Sequence, residues 1–312
     1  MLGDGESPLV SAAWLAKNLR DPSVRVVDAR WYLDGRSGSD AHAAGHIPTA
    51  VHLDIDRDLA APPARDGVGG RHPLPSPAAF ADTIARVGIG PDTWVVAYDD
   101  DGGSKAARLW WMLQYFGHGR GKVLDGGIQA WVAAGGSLEK GPVRPARQPP
   151  MELVSIPRLV LGRERVQTLV EEGNGVLIDA RVAPRYEGVS EPVDARPGHI
   201  PRAVNVPYTD NLVAPGGVFR DVASLRARYR AAGVQIGSRV AVYCGSGVTA
   251  CHDILALGLI GIEGQLYDGS YSDWLSDPEL DVNTGREPLP PSRGRWFFGG
   301  FRRGAARSSS GG

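Results

Sequence analysis

Short runs of aliphatic and β-branched residues alternate with longer stretches of helical period along most of this chain. Val24 to Asp28 and Trp94 to Tyr98 read as buried strands. Ser11 is placed to cap a helix running through Leu19, and Ala78 to Val87 and Lys105 to Phe116 carry the apolar spacing of helices. Further on, Val240-Ala241-Val242-Tyr243 reads as a strand, and the segment from Thr249 to Leu259 as a helix. Such alternation predicts an α/β fold with a central, mostly parallel sheet flanked by helices, where ligands sit beyond the carboxyl ends of strands.

The pattern occurs twice. Val26-Val27-Asp28-Ala29-Arg30 returns as Leu177-Ile178-Asp179-Ala180-Arg181, and Gly45-His46-Ile47-Pro48 as Gly198-His199-Ile200-Pro201, at offsets of 151 and 153 residues. Trp94 to Tyr98 matches Arg239 to Tyr243, and Asp125-Gly126-Gly127 with Trp131 matches Asp268-Gly269-Ser270 with Trp274. Four blocks in one order at a nearly constant offset indicate one duplication, because a solenoid would repeat every ~20–50 residues. The expected division is a first domain over 1–138, a Pro-rich linker over 139–158, a second domain over 159–283, and a disordered tail over 284–312 with the aromatic cluster Trp296-Phe297-Phe298.

Composition narrows the function. A chain of 312 residues with 42% apolar and 22% charged residues suits two globular domains, and a net charge of −1 argues against nucleic acid as a partner. No run of eighteen apolar residues or basic-then-apolar leader occurs, so no membrane association is expected and a reducing cytoplasmic setting fits best. The two cysteines, Cys244 and Cys251, are seven positions apart. On a helix that is ~10.5 Å of rise, too far for a disulfide. Cys251-His252 lacks the further ligands of a zinc site, and no metal or cofactor is called for.

The chemistry concentrates at Cys244-Gly245-Ser246-Gly247-Val248-Thr249-Ala250, directly after the strand ending at Tyr243. Two glycines let the backbone curl so that successive N–H groups face one centre, and the N-terminus of the next helix faces it too. A nucleophilic cysteine at the mouth of an anion cradle is the natural reading. A phosphatase loop of the Cys-x5-Arg type would need an arginine where Ala250 stands.

This loop, with Tyr267-Asp268-Gly269-Ser270 and Trp274 after it, resembles the tandem-domain rhodanese sulfurtransferases, and among them the 3-mercaptopyruvate branch most. The resemblance spans roughly residues 8 to 282 and implies two tandem rhodanese-like domains. It implies that Cys244 takes sulfur from a small-molecule donor as a persulfide, held by about six loop amides including those of Gly245, Gly247, Val248 and Thr249. The sulfur would then pass to a thiol acceptor, such as thioredoxin or a low-molecular-weight thiol, or to cyanide. Thiosulfate:cyanide sulfur transfer and a non-catalytic sulfur-carrier or binding module remain the alternatives.

The repeat sets Asp99 opposite Cys244, so Asp99-Asp100-Asp101-Gly102-Gly103 stands where a first cradle would be. Three carboxylates there should repel an anion and leave the first half without a nucleophile, and the resemblance implies that such a half supplies one wall of an interdomain cleft. Arg185, in Arg-Tyr-x-Gly, and Arg196, before Gly-His-Ile-Pro, are the implied holders of the donor's carboxylate. The loop lacks the basic side chains of the thiosulfate branch, which makes thiosulfate the poorer expected donor. Ser246 is read as an oxyanion-type donor, and the resemblance implies Asp54 and His72 as a proton relay to it. His46 and His199 recur in both halves and are read as structural. Tyr271 and Asp273 depart from the Trp and Glu more usual in the family.

Overall fold

The computed structural model describes residues 7–214 and 217–287. Most of the tail, with Trp296, Phe297 and Phe298, therefore lies outside the described residues. The first sheet comprises β1 (Leu9–Val10), β2 (Val24–Asp28), β3 (Val51–His52), β4 (Trp94–Tyr98) and β5 (Gly121–Leu124). The second comprises β6 (Val160–Leu161), β7 (Val176–Asp179), β8 (Val204–Asn205), β9 (Val240–Tyr243) and β10 (Gly264–Tyr267). Their strand orders, β1-β5-β4-β2-β3 and β6-β10-β9-β7-β8, are the same order one repeat apart, and every pairing is parallel. Both faces of each sheet are covered, which is why the central strands read as continuous apolar runs.

The helices form where the sequence indicates, within a residue or so. Ser11 caps Ala12–Asn18 by accepting from the Trp14 amide, and Ser76 caps Pro77–Arg86 by accepting from Ala79. After β4 comes the helix Ala106–Tyr115, and after β9 the helix Ala250–Leu259. Each is apolar nearly all round, a pattern that fits burial rather than a surface position. They pack on each other across the domain boundary, and one hydrophobic cluster containing Leu109, Trp110, Leu113, Ile254 and Leu255 runs through both domains.

The duplication extends to single hydrogen bonds. Arg30 pairs with Asp28 and donates to the Gly45 carbonyl at 2.8 Å; Arg181 pairs with Asp179 and donates to the Gly198 carbonyl at 2.6 Å. Tyr98 Oη accepts from the Ile47 amide and Tyr243 Oη from that of Ile200. His46 and His199 are buried in these turns, each bonding through Nδ1 to a nearby carbonyl and pairing by backbone with Glu139 and Asn283, in keeping with a structural role. The stretch read as tail begins anchored: Gly285 donates to the Glu187 carbonyl, and Glu287 accepts from the Arg202 amide.

Candidate active site

Cys244 leaves the carboxyl end of β9 and is 2% exposed. The Gly247 amide donates to its Sγ at 3.2 Å, the one such bond among the described residues, where about six are expected around a persulfide. Gly247 has φ +80°, and a Cβ there would lie 2.4 Å from the Asp268 carbonyl oxygen, so the turn requires glycine. The segment after β10 clamps the loop from behind. Tyr271 and Ser272 donate their amides to the Cys244 and Gly245 carbonyls, and Ser270 Oγ accepts from the Cys244 amide at 3.1 Å. Ser270 holds φ 54°, and its repeat counterpart is Gly127 at φ 56°. The copy that holds the cysteine thus has a non-glycine residue in left-handed backbone and gains a hydroxyl bonded to the cysteine's amide.

The first domain reaches into this loop. Arg108, fully buried, donates to the carbonyls of Gly247 (3.1 Å), His72 (3.0 Å) and Leu59 (3.3 Å). A strap over 67–72 is tied to the second domain: Gly69 donates to Asp273 Oδ1 at 2.7 Å and Arg71 to Ser272 Oγ at 3.1 Å. Asp273, a departure from the family pattern, is therefore an anchor for the strap. Tyr271, the other, stacks under the Arg181 guanidinium at 4.0 Å.

The strap delivers His72, whose Nδ1 lies 2.7 Å from Ser246 Oγ and whose Nε2 lies 2.7 Å from Asp56 Oδ1. The carboxylate that meets His72 is thus that of Asp56 and not that of Asp54. Asp54 caps the short helix Ile55–Asp58, accepting from the Asp56 and Arg57 amides, and its carboxylate is committed there. Trp31 Nε1 donates to the other Asp56 oxygen at 2.8 Å. Burial pushes His72 below the ordinary histidine range, with Arg108 and Arg71 adding to the shift and Asp56 opposing it.

Of the two arginines expected to face the donor, one lies over the cysteine loop. A Cβ built on Gly245 would lie 3.6 Å from both terminal nitrogens of Arg185, and 2.9 Å from Nη2 of Arg71, which sequence reasoning missed. Arg196 turns away and donates to the Leu280 and Asp277 carbonyls. Arg185 is held by Glu191 and Asp194, both at 2.8 Å, and Asp194 also pairs with Arg71. Val248 is buried, and Thr249 lines an interdomain cleft of about 520 Å³ with Arg185, Tyr208, Trp31, Tyr32 and Lys105.

The first domain has a matching cradle, and it is filled. Asp99 ends β4 fully buried, and its carboxylate accepts from the amides of Asp101, Gly103, Lys105 and Ala106 at 2.8–2.9 Å. The acidic turn thus carries its own anion, with the Asp99 carboxylate in the place an incoming one would take. Asp101 pairs with Lys105, and Asp100 accepts from Tyr32, so the other two are neutralised or engaged nearby.

Two parallel α/β repeats, one with a cysteine in a curled loop and one with that loop occupied by carboxylate, define a tandem-domain sulfurtransferase. The profile of the rhodanese-like domain matches residues 11–134 and 163–277, and the chain belongs to the rhodanese family. It is 42% identical over 281 residues to the putative thiosulfate sulfurtransferase SseB of Mycobacterium tuberculosis, covering 89% of this chain and 97% of that one. It is equally 42% identical over 287 residues to a probable 3-mercaptopyruvate sulfurtransferase of Pseudomonas aeruginosa, covering 89% and 98%. Among solved structures, the 3-mercaptopyruvate sulfurtransferase SseA from Escherichia coli matches with a TM-score of 0.74 and 32% identity, covering 85% of this chain and 99% of that one. No helix among the described residues is long and apolar enough to cross a membrane.

Proposed function

We propose that the protein takes sulfur from 3-mercaptopyruvate onto Cys244 and passes it to a thiol or cyanide. The observation that carries this reading is the loop from Gly245 to Thr249, uncharged, with an amide aimed at Cys244 Sγ and Ser246 joined to His72 and Asp56. The Cys244 thiolate attacks the donor's sulfur while Arg185 and Arg71 hold its carboxylate. The carbon–sulfur bond breaks, its electron pair passes to the enolate of pyruvate, and the proton of the donor's thiol goes to the enolate carbon through Ser246 and His72. An anionic persulfide stays in the cradle, where loop amides and the end of the helix Ala250–Leu259 stabilise it. A thiol such as thioredoxin, a low-molecular-weight thiol, or cyanide then takes the outer sulfur. A cysteine with this cycle suits a reducing compartment such as the cytoplasm.

Thiosulfate is the second reading, favoured by the Arg71 guanidinium over Gly245, which adds a cation that the loop itself lacks. The test compares kcat/KM for the two donors with cyanide as acceptor, with Cys244→Ser as blank. Preference for mercaptopyruvate that vanishes in the variant supports the proposal. Preference for thiosulfate transfers it to the second reading, and absence of turnover with both favours a sulfur-binding module.

A further inference from the structure

The two arginines over Gly245 are linked to each other. Asp194 pairs through Oδ2 with Arg185 at 2.8 Å and through Oδ1 with Arg71, joining a side chain of the second domain to one of the first. Its own side chain is 2% exposed, whereas those of Arg185 and Arg71 are 16% and 35% exposed. Arg185 lines the cleft, and both arginines keep exposed surface while the carboxylate between them is covered. The charges around them balance: Arg71, Arg181 and Arg185 face Asp179, Glu191 and Asp194 in one connected set of ion pairs.

We infer that Asp194 determines which sulfur donor the site accepts, by cancelling one unit of positive charge beside the reacting cysteine. The inference rests on the sulfurtransferase reading given above and decides between its two donors. With Asp194 ionised, this set of ion pairs offers N–H donors in a fork but adds no net charge of its own. That arrangement suits a monocarboxylate, recognised by directed hydrogen bonds, over a dianion, which depends on net attraction to offset its larger loss of hydration. Coulomb energy is linear in ligand charge, so removing the Asp194 charge changes the interaction with a dianion by twice the amount it changes that with a monoanion. The donor ratio then moves by the full interaction of one unit charge at close range.

The experiment is the ratio of kcat/KM for thiosulfate to that for 3-mercaptopyruvate in the wild-type chain, Asp194→Asn and Asp194→Glu. Asn keeps the shape and an oxygen acceptor for one arginine but removes the charge; Glu keeps the charge with altered reach. The expected result is a ratio raised about tenfold or more in Asp194→Asn, shrinking as salt screens the site, and a ratio near wild type in Asp194→Glu. An unchanged ratio in Asp194→Asn, or an equal rise in Asp194→Glu, overturns the inference. If Asp194→Asn fails to fold, the Asp194→Glu ratio and the salt dependence of wild-type donor preference carry the test. Wild-type turnover separates the two levels of argument: no activity with either donor defeats the sulfurtransferase reading, while active enzyme with an unmoved ratio defeats only the role of Asp194.

Discussion

Ser246 Oγ and His72 Nδ1 stand 2.7 Å apart although 174 positions separate them in the chain. The hydrogen bond crosses the domain boundary, so the reactive loop is completed only when the first domain docks on the second. Neither repeat contains the whole arrangement, which makes the domain boundary part of the site and more than a means of joining two folds.

The identity of the relay carboxylate is tested by two neighbouring alanines. Asp56→Ala should lower kcat about tenfold or more through loss of the His72 partner, within the range that general acid–base groups contribute. Asp54→Ala should cost ~1 kcal/mol of stability from the lost cap and spare kcat. Steady-state kinetics beside urea unfolding separates the two; equal kinetic loss in both would reinstate Asp54.

The pH profile should report on His72. Burial holds it neutral to lower pH than an ordinary histidine at ~6.5. If the neutral ring passes the proton, the acid limb of kcat/KM lies below pH 6.5, and Asp56→Ala shifts it lower still, because that carboxylate favours the charged ring. The sign for stability follows. Below ~6.5 the unfolded chain binds the His72 proton first, so this residue's contribution is present above that pH and is lost as pH falls through its folded value. A limb above 7 that His72→Gln leaves in place would remove His72 from the relay.

Arginine truncation should divide by position. Arg71→Ala and Arg185→Ala each remove a charged hydrogen-bond donor to the carboxylate, worth ~1.5–3 kcal/mol, or about 10–100-fold in kcat/KM for mercaptopyruvate. Arg196→Ala should leave KM unchanged and lower the melting temperature, because its guanidinium ties the Asp277 and Leu280 carbonyls. A raised KM in Arg196→Ala, with Arg71→Ala unaffected, would reverse the assignment.

Behind the reactive loop, Asp253 is fully buried on the helix Ala250–Leu259, and one of its oxygens has no hydrogen-bond partner among the described residues. Burial raises its carboxyl to about 8, against the Asn211 hydrogen bond and the Arg228 charge. The unfolded chain releases this proton near ~3.9, so between that pH and about 8 the folded state binds more protons and the residue's contribution is lost as pH rises. Asp253→Asn should therefore gain stability over wild type progressively up to about pH 8 and level off above it. Thermal melts of both proteins across pH 4 to 9 measure this, and a constant difference would contradict it.

Much of the fold was legible because its signals are local. Strands such as Val24–Asp28, the caps at Ser11 and the doubled Asp-Ala-Arg and Gly-His-Ile-Pro blocks need only neighbours in sequence. Cys244 and Ser246 were legible for the same reason, since the curled loop is one continuous segment. Arg71 was not, because nothing near it in sequence reveals that the strap lies against Ser272 and Asp273. The resemblance points to Asp54, although an aspartate before a short helix is a capping signal that could have excluded it. Arg196 misled by proximity to Gly-His-Ile-Pro, while its side chain is spent on the 277–280 backbone. Asp99 was read by its charge, whereas its role follows from the direction of four amides.

That filled cradle has a consequence for how the molecule behaves over a working cycle. Under the proposed mechanism the loop at Cys244 serves in turn a thiol, a passing donor and a sulfur-laden anion, so its electrostatic load changes with each turnover. Its twin at Asp99 carries a covalently tethered guest that never departs, and so meets no comparable change. The helix springing from that loop supplies Arg108, which grips the Gly247 carbonyl. One half of the protein is thereby a fixed abutment, permanently loaded, against which the other half loads and unloads.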